Sequence, residues 1–487
     1  MMLTKKISTH KLEITSFVVF FIFLSYITLH TSGDTFDEFV FLEGAKRILT
    51  GQVLYKDFFS FLPPGLYYLV ALVWKIFGTQ YIYIRLLSIL INFSICLFIY
   101  LIYKKFINKR LALLNVWLFI IVFLPTELNI YHHWLALLFI LIETLFFLKY
   151  LEKQKNKYLV YAGLALGFGC LFLHTTVGYI FIATLLWLIF YKKNILAALY
   201  FGIFFLLPII SVIAYFVSQA GWTTIWQNLI ISNLSYYPRI NYLPLYKNFL
   251  FFADLVSLVI ISALLIKNND LKNPALLWLY IITLIMFGSS LYRLDLTHQA
   301  YVYPAFTLLF VNYVSPYISR YLNIKSLNII WLIFLMSPLI TSLCASHILA
   351  YTNRDAWEKI SPTTIGDVYL TRNRALATKT ILATIKKLPS NKILIYPNLP
   401  LYYSILDIQN PSRFTLLEND YMSETDKNIL KNDLLENKIE YVLQNPIERR
   451  TTISSPLDSV WLKENFPHLE TLNYPGTNKY FFLYSKK

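Results

Sequence analysis

Long apolar runs separated by short polar loops fill the first 349 positions of this 487-residue chain, and a mixed pattern follows them. Apolar runs of ~17–25 residues predict membrane-spanning helices. About eleven are expected, near 12–31, 81–103, 110–125, 134–151, 158–173, 176–191, 195–218, 247–266, 275–291, 300–317 and 327–349. The first run, Leu12 to Leu29, follows Lys5, Lys6 and Lys11 as a signal sequence would. It is long enough to span and lacks a small-residue cleavage site, so it reads as a retained helix. The run from Pro64 to Phe77, 14 residues, is short for a crossing and reads as an interfacial or re-entrant helix.

Beyond residue 349 the apolar runs give way to charged helical stretches, Arg372 to Lys387 and Asp426 to Asn437. Between and after them lie short strand-like runs, Ile393 to Tyr396, Tyr441 to Gln444 and Tyr480 to Tyr484. That alternation predicts a small α/β domain over 350–487, set against a transmembrane domain over 1–349.

Composition agrees, with 57% hydrophobic, 17% aromatic and 14% charged residues. The net charge of +16 does not point to nucleic acid once its distribution is considered. Residues 1–349 hold 25 Lys and Arg against 12 Asp and Glu, whereas 350–487 hold 18 against 15, so 13 of the 16 excess charges fall in the membrane half. They concentrate in short loops: Lys104 to Arg110, Lys149 to Lys157, Lys192 and Lys193, Lys267 and Lys272, Arg320 and Lys325. Such loops face the cytoplasm. Counting Pro64 to Phe77 as a crossing would invert every later loop. Cys96, Cys170 and Cys344 all lie in apolar runs, so no disulfide framework or thiolate metal site is indicated.

With a cytoplasmic N-terminus, the outer loops are 32–80, 126–133, 174–175, 219–246 and 292–299, and the tail is outside as well. The polar residues with chemical potential gather on that face: Asp34, Asp37, Glu38, Asp57, Glu127, His132, His133, His174, Arg293, Asp295 and His298. Three carboxylates within five residues, Asp34, Asp37 and Glu38, stand where the first span surfaces. Acids there cap and favour a helix N-terminus, which accounts for one or two of them. The helix they open is predicted over Glu38 to Thr50, with Phe41, Ala45, Ile48 and Leu49 at helical spacing and Gly51 past its end.

Asp37-Glu38, Phe41, Ala45, Gly51, the run Tyr55-Lys56-Asp57-Phe58 and the Pro63-Pro64 turn form one pattern over about 45 residues. This resembles the first extracytoplasmic loop of GT-C glycosyltransferases that use polyprenyl-phosphate sugars, the group of protein O-mannosyltransferases and lipid A aminoarabinose transferases. The resemblance implies a GT-C fold and places Asp37 at the reaction centre, with Glu38 and Asp34 beside it and Asp57 in support. An acceptor hydroxyl is a poor nucleophile and needs a positioned carboxylate to attack an anomeric carbon. Relatives commonly carry a Lys just before the Pro pair, where this chain has Phe61-Leu62. The departure leaves the leaving-group contact to other residues.

Arg293-Leu294-Asp295-Leu296-Thr297-His298 resembles an Arg-x-Asp-x-x-His segment of bacterial members. It implies a carrier-phosphate contact by Arg293, with two parallel hydrogen bonds, and by His298, with Asp295 in support. The alternative is an Arg293–Asp295 pair that only fixes the loop. His174 is a further donor-site candidate, or else an interfacial histidine. No cofactor is indicated. His132, His133 and Glu127 offer ligand atoms for a divalent metal, but adjacent histidines rarely face one ion. Gly163-x-x-x-Gly167-x-Gly169 lies inside a span and reads as close helix packing.

The function expected is transfer of a hexose or pentose, with inversion, from a polyprenyl-phosphate donor to a lipid, glycan or protein acceptor outside the cell membrane. An oligosaccharide ligase or polymerase with a pyrophosphate-linked donor keeps the fold and changes the chemistry. A non-enzymatic transporter or flippase would need ionisable residues buried in its spans. The spans show Glu143, Asp254 and little else.

Overall fold

A computed structural model of the protein describes residues 2–31, 36–122, 128–235, 249–291, 302–321, 357–361, 363–397, 399–406, 408–415, 417, 422–445, 456–473 and 480–486. Every expected span from 12–31 to 300–317 coincides with a helix, and 327–349 lies outside the described residues. The helices are α1 (Met2–Leu29), α4 (Tyr81–Tyr103), α5 (Lys109–Val122), α6 (His132–Lys153), α7 (Lys157–Cys170), α8 (His174–Leu186) and α9 (Ile195–Ala220), then Phe249–Lys267, Pro274–Ser290 and Tyr303–Tyr321. Between α1 and α4 stand α2 (Asp37–Leu49) and α3 (Gly65–Phe77). Among the described residues five helical segments are long and apolar enough to cross a membrane unaided.

Helix boundaries follow local chemistry. Asn194 caps α9 by accepting from the Ala197 N–H, and Asn273 caps the helix that Pro274 opens. The glycine stripe of α7 is a packing surface. A Cβ on Gly163 would sit 2.5 Å from the Phe201 carbonyl oxygen, and one on Gly167 would collide with the Phe205 carbonyl and Pro208. Bare backbone therefore lets α7 lie directly on α9.

Ion pairs give the bundle its polarity. Lys105, after α4, pairs with Glu152 at the end of α6 at 2.5 Å, and Lys109 at the start of α5 pairs with Glu13 in α1 at 2.5 Å. The basic loops after α4 and α6 thus share one end of the bundle. At the other end, Arg85 in the first turns of α4 donates through Nε to the Thr28 carbonyl of α1 at 3.0 Å. The chain leaves α1 and enters α4 at the same end, so the segment between them makes no net crossing. Both ends of α3 agree. Gly65 N–H donates to Leu171 after α7 at 2.8 Å, and Trp74 Nε1 donates to Gln80, just before α4, at 3.2 Å.

Within the 219–246 stretch, expected as an outer connection, the chain is helical over Trp222–Trp226 and on through a π turn to Ser235, and 236–248 lie outside the described residues. Its run Trp222 to Ile231 is too short to span but apolar enough to pack, and Asn233 Nδ2 donates to the Phe61 carbonyl at 2.7 Å.

The tail is α/β. Strands β1 (Trp357–Ile360) and β2 (Val368–Thr371) pair antiparallel. A mixed sheet runs β3 (Ile393–Tyr396), β4 (Tyr441–Gln444), β6 (Tyr480–Ser485) and β5 (His468–Asn473), with β3 and β4 parallel and the other pairs antiparallel. Helices Arg372–Ile385 and Glu424–Glu436 fall where charge and periodicity predict. Ser423 and Asp426 form a capping box at the start of the second.

Candidate active site

Helix α2 organises the site. Asp37 and Glu38 occupy its first turn and Lys46 and Arg47 its last, each sign placed where the helix dipole favours it. Gly51, at φ +95°, turns the chain after it. Glu38, Phe39, Phe41, Leu42, Glu43, Ala45 and Arg47 are all buried, so α2 is enclosed on nearly every side.

The first turn is fixed to the bundle through Glu38, which is fully buried. Its Oε2 accepts from the Tyr81 hydroxyl at 2.6 Å, and its Oε1 from Arg85 Nη1 at 3.4 Å and the Ile130 N–H at 3.2 Å. Asp37, the neighbouring acid and first residue of the helix, is half-buried. Phe41, one turn on, packs on the His132 ring at 5.6 Å. The turn carrying Asp37 therefore rests on the segment 130–133 that opens α6. His133, from that segment, lines a cavity of about 30 Å³ together with Thr176, Ser289 and Ser290.

The remaining candidates divide between described and undescribed residues. Asp34, Glu127, Arg293, Asp295 and His298 lie outside the described residues, although Ser289 and Ser290 end the helix that leads to Arg293. His174 opens α8 two residues before Thr176, half-buried and against the Leu229 backbone. Asp57 is exposed and closes a turn, its Oδ2 accepting from the Val53 N–H at 2.6 Å. Tyr55, at φ +69°, donates its hydroxyl to the Leu62 carbonyl at 2.7 Å, and burial pushes that phenol up from its ordinary range. The Tyr55-to-Pro64 pattern thus forms a rigid loop beside α2. Among the described residues no group of three or more His, Cys, Asp or Glu side chains converges as a metal site would require.

The last turn of α2 is fixed to the tail. Lys46 Nζ donates to the Tyr403 and Leu406 carbonyls at 2.9 and 3.1 Å, at the end of helix Pro400–Ile405, where a cation completes unpaired carbonyls. Arg47 pairs through Nε with Glu43 and donates through Nη2 to the Ser412 carbonyl at 2.8 Å. Thr415 donates to the other Glu43 oxygen at 2.8 Å. Arg413 Nη2 donates to the Lys56 carbonyl at 2.8 Å, and the Tyr81 N–H to the Ile365 carbonyl at 2.7 Å. The tail consequently sits at the end of the bundle that carries Asp37.

Residues 62–216, from just before α3 to α9, match the family described as dolichyl-phosphate-mannose-protein mannosyltransferase. ArnT from Cupriavidus metallidurans, solved bound to undecaprenyl phosphate, superposes with a TM-score of 0.54 over 97% of each chain at 11% identity. This is the GT-C fold. The Archaeoglobus fulgidus oligosaccharyltransferase, in complex with zinc and sulfate, overlaps at a TM-score of 0.47 and 12% identity over 88% of this chain and 68% of its own. Comparison with curated proteins finds no match.

Apart from Glu38, the residues that hold α2 in place are ones sequence reading passed over. Arg85 had a signal, a cation inside an otherwise apolar span, and the structure gives it a buried carboxylate to pair with. Lys46, Glu43 and Arg47 had none beyond helical spacing, because their partners in the tail stand more than 350 positions away.

Proposed function

We propose that this GT-C protein is an integral-membrane glycosyltransferase. It moves a sugar, with inversion, from a polyprenyl-phosphate carrier to a lipid, glycan or protein acceptor at the extracytoplasmic face. The observation that carries the reading is the anchoring of the first turn of α2: Glu38 is held by Tyr81, Arg85 and Ile130, which fixes Asp37 at the half-buried start of the helix. Asp37 then serves as the base. It takes the acceptor's hydroxyl proton as that oxygen bonds to the anomeric carbon and the carbon–phosphate oxygen bond breaks. The negative charge that develops on the leaving phosphate falls to Arg293 and His298, with His174 near the same cavity. Asp57 keeps its loop in shape, and Asp295 and Asp34 are assigned supporting roles beside Arg293 and Asp37. The positive loops at the opposite end of the bundle support a cytoplasmic N-terminus.

The test is transfer from a polyprenyl-phosphate sugar by purified protein in nanodiscs. Asp37→Asn keeps the volume and removes the basicity, so transfer should fall by roughly the 10²–10⁴-fold that a positioned base contributes, with insertion and melting unchanged. Near-native transfer by that variant would remove Asp37 from the mechanism.

A further inference from the structure

The tail and the first outer loop are clamped together at Ser412 and Arg413, where Arg47 reaches the Ser412 carbonyl and Arg413 reaches the Lys56 carbonyl. Beside this clamp lies a cleft of about 610 Å³, within the range of ordinary ligand pockets. Gln52, Lys56 and Asp57 line it from the loop, and Asn391, Lys392 and Gln409 from the tail. Its lining isoleucines Ile393, Ile408 and Ile439 are buried, so the surface on offer is mainly amides and charges.

The chemistry of that surface selects an occupant. An amide both donates and accepts, which suits a hydroxyl that does the same. With Arg47 buried and paired to Glu43, the cations Lys56, Lys392 and Arg413 still outnumber the carboxylates Asp57 and Asp433, and Asp433 accepts from the Arg413 N–H at 3.1 Å. Lys56 and Lys392 are exposed at the cleft. An extended peptide would need an open strand edge. The strand beside the cleft, β3, is an edge strand of its sheet, but the Tyr403 hydroxyl receives the Ile395 N–H at 2.6 Å and donates to the Ile395 carbonyl at 3.2 Å. That plug closes the edge to strand addition.

We infer that the seam between the tail and the first outer loop is a binding site for an anionic, hydroxyl-rich oligosaccharide, the distal part of the acceptor. The inference rests on the glycosyltransferase reading for the word acceptor, and on the cleft alone for the ligand class. Arg47 follows Asp37 by ten residues of helix, a rise of ~15 Å at 1.5 Å per residue. An acceptor that fills the cleft and presents a hydroxyl to Asp37 must therefore extend over several sugar units.

The experiment uses the full chain in nanodiscs and measures binding of three probes by calorimetry: a uronate hexamer, a neutral glucan hexamer and a Ser/Thr-rich peptide. The uronate hexamer should bind best, more weakly as salt rises. Lys392→Ala and Lys56→Ala should each loosen it about three- to tenfold, and Gln409→Ala should loosen both sugars. Asp37→Asn should leave cleft occupancy unchanged. A uronate affinity indifferent to both lysine changes, no sugar binding at millimolar concentration, or preference for the peptide would overturn the assignment. Intact sugar binding in a protein that transfers nothing would sink the enzymatic reading and leave the cleft standing.

Discussion

Replacing Glu38 by Ala separates the two acids of the first turn. The change removes the acceptor for the Tyr81 hydroxyl and the Ile130 N–H and leaves Arg85, itself only 2% exposed, without its buried carboxylate partner. Removing one partner of a buried pair costs about 3–5 kcal/mol, because the remaining charge has lost its counter-charge away from water. Two broken hydrogen bonds to buried groups add about 1–3 kcal/mol each where nothing replaces them. The variant should therefore melt far below wild type in detergent or lipid and insert poorly. Glu38→Gln keeps the volume and two hydrogen-bonding atoms and should lose less. Removing both charges, Glu38→Leu with Arg85→Met, should recover part of the loss, since an apolar pair avoids the desolvation cost. Differential scanning fluorimetry in nanodiscs gives the stabilities and carrier-dependent transfer gives the activities. The reasoning fails if Glu38→Ala melts like wild type and is catalytically dead, because Glu38 would then be the base and Asp37 its support.

Two other outcomes can be checked. Arg293→Ala should raise the donor concentration needed for half-maximal transfer roughly ten- to hundredfold at fixed acceptor, the worth of a charge-assisted contact of ~1.5–3 kcal/mol; Arg293→Lys should rescue only in part, and a collapse of acceptor dependence alone would move Arg293 to the acceptor side. Gly163→Ala places a methyl 2.5 Å from the Phe201 carbonyl and should cost about 1–3 kcal/mol by forcing α7 from α9; Gly178→Ala, with no neighbour within 4 Å of the added atom, is the control that should melt unchanged.

The sequence made the membrane half legible because a span obeys one rule, an apolar length bounded by charge, and Tyr81–Tyr103 follows it to the residue. Strands β3 and β4 were equally plain, since buried strands are short, largely apolar runs. Strand β5 was not, because His468, Glu470 and Asn473 leave it no apolar face and only its pairing with β6 makes it a strand. In the site, Asp37-Glu38 stood out by local charge density. What distinguishes the two acids did not, because it depends on Tyr81, Arg85 and Ile130, which come together only when α1, α4 and the entry to α6 meet.

The bonds at the far end of α2 set a timetable for biogenesis. Lys46 and Tyr403 are separated by 357 positions. At ribosomal rates of ~5–20 residues per second, the helix waits roughly 20–70 s between its own emergence and that of its partner. Through that interval Arg47 has only Glu43, one turn back on the same helix, to neutralise it. The first loop is thus a self-paired, provisional structure for most of synthesis, and it is sealed only after the greater part of the chain has been made.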